Sequence, residues 1–312
     1  MNDVFVEIDC PVCGSRDFKV IFAITPDEFL NNYRKKYYNL DAMGINLHTR
    51  FYFKKCKRCS FVFVNPRFHD DVYYIAYNEA RAGQYNDKDW REENGDLAKL
   101  YNTHSKYYAA INLLEGIIYL KRRFEKVKND GRKPIRLLDY GCGFGHILDL
   151  CKPFGIEAIG VDIDENRLTY CMKKGLDVCR PPELPEDSKF DVVISWSVIE
   201  HVNDLNAFFQ YISKRMHIGG IFMIHGLNDR IIYIERLRRK FQYVVPTEHI
   251  NYFTPRSIHH LITKHRFASV PHMKMVQSID NFSRLFYPLV KCVFKGFYPN
   301  GVLKMDLVKI SD

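Results

Sequence analysis

The most constraining feature of this 312-residue chain is a set of three closely spaced glycines that follows an apolar run and an acid. The run Ile135–Asp139 leads into Gly141, Gly143 and Gly145, which occupy every second position. Glycine lets the backbone turn sharply and approach a ligand closely. A second apolar run ends at Asp162. This strand, turn, helix and strand pattern predicts a nucleotide-binding βαβ unit.

The charges around the glycine turn narrow the class of ligand. The spacing is G-x-G-x-G, whereas the pyrophosphate-binding fingerprint is G-x-G-x-x-G, and His146 stands where its third glycine belongs. Asp139 places a carboxylate beside the turn, which disfavours phosphates and favours a cation. Asp162 suits the hydroxyls of a ribose. Together these residues predict a ribosylated, positively charged cofactor without phosphate, such as S-adenosylmethionine.

Three motifs, in this order, resemble those of class I S-adenosylmethionine-dependent methyltransferases. They are Asp139–Gly145, Val161–Asp164 and Phe190–Val202, and the last contains the Glu-His-Val that commonly follows strand four in the small-molecule branch. The resemblance covers roughly residues 133 to 310. It implies an α/β fold: a Rossmann-like, seven-stranded sheet with helices on both faces, closed by a reversed hairpin.

The resemblance also implies a cofactor site. Asp139 and the glycine turn would hold the methionyl end, Asp162 the ribose and Ile163 the adenine, while Ser195 and Trp196 would border the methyl-transfer centre. Alternatively, Trp196 is a core residue that does not border the methyl-transfer centre. The full predicted set is Asp139, Gly141, Cys142, Gly143, Gly145, Asp162, Ile163, Ser195 and Trp196.

Two C-x-x-C pairs stand in the N-terminal part of the chain. Cys10 and Cys13 form the first pair, and Cys56 and Cys59 the second. Four thiolates suffice for a closed tetrahedral Zn²⁺ site, which leaves no position for a catalytic water. The pairs therefore predict a structural zinc module. The remaining five of the nine cysteines are scattered, which favours packed or free thiols over a disulfide framework.

We expect three parts in the chain. Residues 1–68 would form a zinc-ribbon-like module, 69–132 a helical linker or lid, and 133–312 the methyltransferase domain. Strands are expected at 61–65, 135–140, 157–162, 177–179, 190–196, 220–225, 269–276 and 302–310. Helices are expected at 26–38, 69–80, 90–128, 144–153, 165–174, 204–216, 229–241, 256–265 and 281–294.

Composition bears on the cellular location of the protein and on its binding partners. No run of 18 apolar residues occurs, and no basic stretch followed by an apolar one opens the sequence, so a cytoplasmic location is expected. The net charge of +9 arises from basic residues spread widely, which is typical of solvated helix faces. We therefore expect no nucleic-acid partner. The apolar stretch 282–297, interrupted by basic residues, allows contact with a membrane surface, although packing within the domain is favoured.

Methyl transfer to a hydroxyl benefits from a positioned base, commonly histidine. His201, His225 and His249 all fall at expected carboxyl ends of strands or in the loops beyond them. His249 is the preferred catalytic base, with Glu248 orienting it or binding the acceptor, and His225 is second. His201 is expected to be architectural, because the Glu-His pair occurs in relatives with unrelated acceptors. Metal-assisted transfer has only Glu200 as a nearby candidate ligand.

The setting of His249 resembles that of sugar-modifying relatives. The leading hypothesis is therefore O-methylation of a small-molecule acceptor, a phosphate-bearing sugar such as a nucleotide-linked sugar or glycan precursor. The basic stretch at 230–240 would suit its phosphate. The alternatives are an RNA base methyltransferase, a C-methyltransferase acting on a deoxysugar, and a cofactor-binding scaffold without activity.

Overall fold

The computed structural model describes residues 4–30, 39–73, 134–152, 155–239, 241–270 and 302–311. The described strands are β1 (Phe5–Val6), β2 (Phe18–Ile24), β3 (Phe51–Cys56), β4 (Val62–Val64), β5 (Arg67–Phe68), β6 (Arg136–Tyr140), β7 (Glu157–Val161), β8 (Val178–Cys179), β9 (Phe190–Trp196), β10 (Met216–Leu227), β11 (Asn251–Tyr252), β12 (Phe267–Val270) and β13 (Val302–Lys309). The described α-helices are α1 (Pro26–Phe29), α2 (His146–Cys151), α3 (Glu165–Lys173), α4 (Leu205–Lys214), α5 (Arg230–Arg238) and α6 (Pro255–Lys264).

The larger sheet has seven strands in the order β12-β13-β10-β9-β6-β7-β8. Strands β6 to β10 run parallel to one another. Strand β13 runs antiparallel to both β10 and β12, so the sheet closes with a reversed hairpin. This confirms the Rossmann-like α/β fold expected from the sequence. The ligand edge of such a sheet lies beyond the carboxyl ends of its parallel strands.

Both faces of this sheet are buried, as parallel sheets require. Successive residues of β6 point to opposite sides: Leu137 joins a core cluster with Ile147 of α2, whereas Leu138 joins a cluster with Phe209 of α4. The helices expected at 144–153, 165–174, 204–216 and 229–241 are present with shorter ends, and the one expected at 256–265 is present one residue earlier, at Pro255–Lys264. Helix ends shorten because capping groups, more than apolar periodicity, decide where a helix begins and ends.

A second sheet has four strands in the order β11-β4-β3-β2. Neither β2 nor β3 was expected from the sequence, because their pairing spans a long connection and their burial does not alternate. Strand β11 comes from the distant segment after α5 and pairs antiparallel with β4, with Asn251 opposite Phe63 and Tyr252 opposite Val62. The N-terminal module therefore shares a sheet with the loop that carries His249.

The cores of the two sheets are continuous. Phe61 and Phe63, beside the second cysteine pair, belong to the same buried cluster as Phe208 of α4 and Ile258 of α6. Phe61 also lies with its ring centroid 5.2 Å from that of Phe253, directly after β11. The expected domain boundaries at 68/69 and 132/133 stay predictions, because residues 74–133 lie outside the described part of the chain.

Several expected elements also fall outside the described residues. They are the helices at 90–128 and 281–294, most of those at 26–38 and 69–80, and the end of the strand at 269–276. In the part of the chain that the structure describes, no helix combines the length and the apolarity needed to cross a bilayer.

Asn251 fastens the shared sheet to the carboxyl edge of the larger one. Its side chain is fully buried, and its Nδ2 donates to the carbonyls of Ile199 at 3.1 Å and Val202 at 2.6 Å. Ile199 begins the 3₁₀ turn Ile199–His201 that follows β9. One side chain thus ties the His249 loop to the turn that carries His201.

We expect Asn251→Ala to lower the free energy of unfolding by about 1–3 kcal/mol, because it leaves two buried carbonyls without their donor. Chemical denaturation measures the change. Asn166→Ala, at an exposed position of α3, is the matched control and should change stability by less than about 0.5 kcal/mol. Equal stability of the two variants would contradict the assigned role of Asn251.

Candidate functional site

The glycine turn lies between β6 and α2 and has the geometry of a ligand cradle. Gly141, Gly143 and Gly145 have φ values of +83°, +54° and +73°, which side chains rarely tolerate. A Cβ at Gly141 would lie 2.3 Å from Val198, and one at Gly145 would lie 2.3 Å from Leu176, so these side chains pack directly against the two glycines. A Cβ at Gly143 would meet no atom within 4 Å. Gly143 is therefore where the backbone can face a ligand.

Asp162 lies just beyond the end of β7 and fixes the neighbouring backbone. Its Oδ2 accepts from the Gly143 amide at 2.8 Å, and its Oδ1 accepts from the Asp164 amide at 3.0 Å. The Arg167 guanidinium lies 3.7 Å from the same carboxylate. Asp162 thus holds the turn and the adjacent loop in one arrangement, as a ribose-binding acid requires.

Asp139, at the end of β6, is a buried carboxyl with only 1% of its surface exposed. Burial raises its pKa from 3.8 to about 8, and the nearby Asp162 charge adds to the shift. The ligand-free protein therefore holds a proton here near neutral pH. A cationic group arriving at the turn would favour the ionised form.

The other predicted cofactor residues differ in exposure. Ile163 is 44% exposed beside Asp162, so its side chain is available to an adenine. Cys142 is buried, and its thiol packs against Gly160, so only its backbone belongs to the turn. Trp196 stacks on His225 with ring centroids 4.4 Å apart, at the carboxyl ends of β9 and β10.

Ser195 gives an independent indication of a polar ligand. Its side chain is 1% exposed, and its Oγ has no hydrogen-bond partner among the described residues. Buried hydroxyls are nearly always hydrogen-bonded. The open cradle at Gly143, the acids Asp139 and Asp162, and this hydroxyl together fit a cofactor that carries a ribose and a positive charge.

Two histidines meet beyond the end of β9. The rings of His201 and His249 lie with centroids 4.7 Å apart at an angle of 48°. His201 Nδ1 is 2.8 Å from the Glu248 carbonyl, and His249 Nδ1 is 2.7 Å from the Tyr243 carbonyl. A carbonyl can only accept, so each Nδ1 carries a proton that it donates to the facing carbonyl.

The structure thus brings together His249 and the histidine expected to be only architectural. Glu248 contributes its backbone carbonyl to His201, and its side chain is 6% exposed. His225 lies at the end of β10, against Trp196. The catalytic roles of His249, His225 and Glu248 stay predictions.

Two groups of potential metal ligands occur in the described part of the chain. One is Cys10, Cys13, Cys56 and Cys59, whose sulfurs all lie within 4.8 Å of one another. The Cys10–Cys59 and Cys13–Cys56 sulfur pairs are 3.5 and 3.6 Å apart. The other group is Glu200, His201 and His249, whose ligand atoms lie within the same 4.8 Å limit. A carboxylate and two imidazoles also form a donor set suited to divalent cations.

Sequence patterns gave no indication of the groups that hold His249. Its ring is fixed by the carbonyl of Tyr243, and the backbone around Tyr243 is in turn bound by Glu235 of α5. A backbone carbonyl is present in every residue type, so no sequence signal marks it. The acid Glu235 could be noticed only as a charge within a basic helix.

Comparison with known proteins identifies the domain. Residues 117–271 match the profile of a family described as "Methyltransferase domain". The matched segment contains the glycine turn, Asp162, and the loop of His249.

The curated relatives include several proteins of one name. An enzyme of Pelagibacter ubique (strain HTCC1062), named ubiquinone biosynthesis O-methyltransferase, is 28% identical over 154 residues, covering 46% of this chain and 62% of the relative. Proteins of the same name from Caulobacter sp. (strain K31) and human mitochondria are 33% and 30% identical, covering 34% and 45% of this chain. These matches span 47% and 40% of the relatives, so the chain covers less than two thirds of each of the three.

Solved structures also show similarity. A SAM-dependent methyltransferase from Archaeoglobus fulgidus is 21% identical, with a TM-score of 0.40, and covers 62% of this chain and 94% of its own. The plantazolicin methyltransferase BpumL is 15% identical, with a TM-score of 0.49, and the match covers 77% of this chain and 98% of that protein.

The expectation of a sugar acceptor is wrong, because the curated relatives named above are O-methyltransferases of ubiquinone biosynthesis. The same names oppose the alternatives of RNA base methylation and deoxysugar C-methylation. The physical reason lies in the motif that suggested the sugar. Glu248, His249, Tyr252 and Phe253 are all under 9% exposed. They hold the loop in place, so their occurrence does not distinguish one acceptor from another.

The sheet order, the glycine turn with its two acids and the family match over residues 117–271 agree with one another. Together with the O-methyltransferases among the relatives, they support a class I, S-adenosylmethionine-dependent methyltransferase.

Proposed function

We propose that this chain is an S-adenosylmethionine-dependent O-methyltransferase whose acceptor is a hydroxyl group on an aromatic ring of the kind carried by ubiquinone precursors. The observation that carries the proposal is the imidazole pair beyond β9, in which His201 and His249 each donate Nδ1–H to a backbone carbonyl, so that Nε2 is the nitrogen of each ring that can take up a proton. The names of the relatives supply the class of acceptor.

A phenolic hydroxyl is a suitable partner for this pair. A phenol has a pKa of about 10, and imidazole one of about 6.5, so proton transfer costs far less than from an alcohol with a pKa of about 15. His249 is 8% exposed, which limits competition from water. His249 Nε2 accepts the hydroxyl proton as the oxygen attacks the methyl carbon, and the neighbouring His201 ring packs against His249.

The cofactor supplies an activated methyl group for in-line transfer to that oxygen. Asp139 and the Gly143 backbone hold its charged end, Asp162 binds its ribose, and Ile163 covers its adenine. Alignment of donor and acceptor provides most of the rate gain in such a displacement. The residues of the turn therefore act by position, and the histidine acts by proton transfer.

We also propose that Cys10, Cys13, Cys56 and Cys59 bind a structural Zn²⁺. Each pair forms a tight turn: the Gly14 amide donates to the Cys10 carbonyl at 2.8 Å, and the Ser60 amide donates to the Cys56 carbonyl at 2.9 Å. The sulfur spacings of 3.5 and 3.6 Å suit a tetrahedral ion with Zn–S bonds of about 2.3 Å. Four protein ligands close the site to substrate.

Binding of S-adenosylmethionine should tighten as pH rises from 6 towards 8, by up to ~10-fold per unit, because Asp139 must release the proton that its raised pKa of about 8 retains. Calorimetry across this range measures the slope. Asp139→Asn should bind more weakly and lose the slope, whereas Asp187→Asn, at an exposed position, should keep it. A flat wild-type profile would show that Asp139 does not face the cofactor.

His249→Ala should lower turnover of a catechol acceptor by ~100-fold or more while S-adenosylmethionine affinity changes less than ~2-fold, because the base is lost and the cofactor site is not. His217→Ala, at an exposed position, is the control and should keep full activity. Turnover is followed with a labelled methyl group. If wild-type activity vanishes with EDTA and returns with a divalent cation, the assignment of His249 as base is wrong. A cation bound at Glu200, His201 and His249 would then activate the acceptor.

The purified protein should contain one Zn²⁺ per chain, measured by elemental analysis. Cys59→Ser should lose the ion and lower the melting temperature, because the cluster lies in the core that joins the two sheets. Cys179→Ser, outside the cluster, should retain the ion. A stable wild-type protein without zinc would refute the assignment.

A further inference from the structure

Glu235 is a buried acid for which neither cofactor binding nor methyl transfer has a direct use. It lies on α5, within the otherwise basic stretch of that helix, and is 4% exposed. A buried carboxylate is costly unless several hydrogen bonds compensate its charge. The partners of Glu235 therefore indicate its role.

Those partners are three consecutive backbone amides of the loop after α5. Glu235 Oε1 accepts from Gln242 at 3.0 Å and Tyr243 at 2.8 Å. Oε2 accepts from Tyr243 at 3.0 Å and Val244 at 2.8 Å. Hydrogen bonds to an ionised acceptor are about twice as strong as neutral ones. One carboxylate thus fixes the orientation of three peptide groups.

One of these peptide groups also binds the histidine. The peptide between Tyr243 and Val244 donates its N–H to Glu235 at 2.8 Å and accepts from His249 Nδ1 at 2.7 Å through its carbonyl. In a trans peptide the N–H and C=O point in opposite directions. The carboxylate on one side therefore directs the carbonyl to the imidazole on the other, and the chain of hydrogen bonds polarises the peptide.

A tyrosine hydroxyl completes the arrangement. Tyr252 Oη lies 3.1 Å from both the Tyr243 and the His249 carbonyl oxygens, which share its single proton. Tyr252 is fully buried in β11, so it braces the same carbonyl from the shared sheet. Among the described residues, the ionisable groups close to His249 include Glu200, His201, Tyr243 and Glu248.

We propose that Glu235 is the positioning residue for His249: through the 243–244 peptide it holds the imidazole as the Nδ1–H tautomer, in which Nε2 is the basic nitrogen. The proposal rests on the proposed function for its catalytic consequence. The tautomer itself is a property of the free protein and requires no substrate.

The test uses full-length protein labelled with ¹⁵N at histidine, because the ring nitrogen shifts distinguish the two neutral tautomers. Wild-type His249, assigned by loss of its signals in His249→Asn, should be the Nδ1–H form. In Glu235→Gln the amide offers one acceptor oxygen and a donor group that opposes the loop amides. His249 should then populate both tautomers.

His201 is an internal control in the same spectra. Its Nδ1 is held by the Glu248 carbonyl, which Glu235 does not contact in any described hydrogen bond, so its tautomer should not change. Asp229→Asn is the matched variant: it removes a carboxylate at the start of the same helix, where Asp229 pairs with Lys55 at 3.3 Å and has no described hydrogen bond to the loop 242–244. Its His249 signals should equal those of the wild type.

Kinetics give the second readout. Glu235→Gln should lower kcat on catechol by ~10-fold or more while the acceptor KM and the affinity for S-adenosylmethionine change less than ~2-fold, as is usual when a supporting partner of a functional histidine is lost. Asp229→Asn should keep wild-type kcat.

The inference is overturned if wild-type His249 is the Nε2–H form, a result that does not depend on the folding of any variant. It is also overturned if Glu235→Gln leaves the tautomer and kcat unchanged. Tautomers that behave as expected in a protein inactive towards catechol would instead refute the proposed function and leave the positioning role of Glu235 intact.

Discussion

The arrangement of the candidate site depends on one short contact, the pairing of β11 with β4. Two residues of the distal segment, Asn251 and Tyr252, complete the N-terminal sheet, and Asn251 at the same time binds the turn after β9. His249 stands two residues before this strand. The position of the histidine is therefore set jointly by the cysteine module and by the carboxyl edge of the larger sheet, and neither could place it alone.

The ionisable side chains of the site fall into two groups, with two acids near the glycine turn and two histidines beyond β9. On the proposed cofactor side, Asp139 and Asp162 lie close enough that the second raises the pKa of the first. On the proposed acceptor side, the imidazoles of His201 and His249 donate Nδ1–H to carbonyl groups, and the carboxylate of Glu235 lies one peptide away from His249. In the proposed reaction a cationic donor would bind beside the two acids, and His249 Nε2 would receive the acceptor's proton.

Much of the larger sheet could be predicted from sequence because its signals are local. Strand β6, the turn at Gly141 to Gly145 and strand β7 follow from an apolar run, a glycine spacing and a second apolar run. The proximity of the four cysteines could also be predicted, because a metal-binding spacing implies that their sulfurs share one centre. Strands β2 and β11 could not be predicted, because their partners β3 and β4 are distant in sequence. Strand β3 also pairs with the nearby β4, but its residues change from three aromatics to two lysines without the alternation that marks a strand.

The order of apolar runs, glycines and acids indicated the fold class and the class of cofactor, because a carboxylate beside a glycine turn disfavours a phosphate group there. The sequence could not show how the two histidine rings are oriented. The contacts that fix His201 and His249 are made by backbone carbonyls of Glu248 and Tyr243, and every residue type has such a group. Side-chain identity therefore specified which groups are present, and long-range packing specified which nitrogen of each ring is bound to a carbonyl.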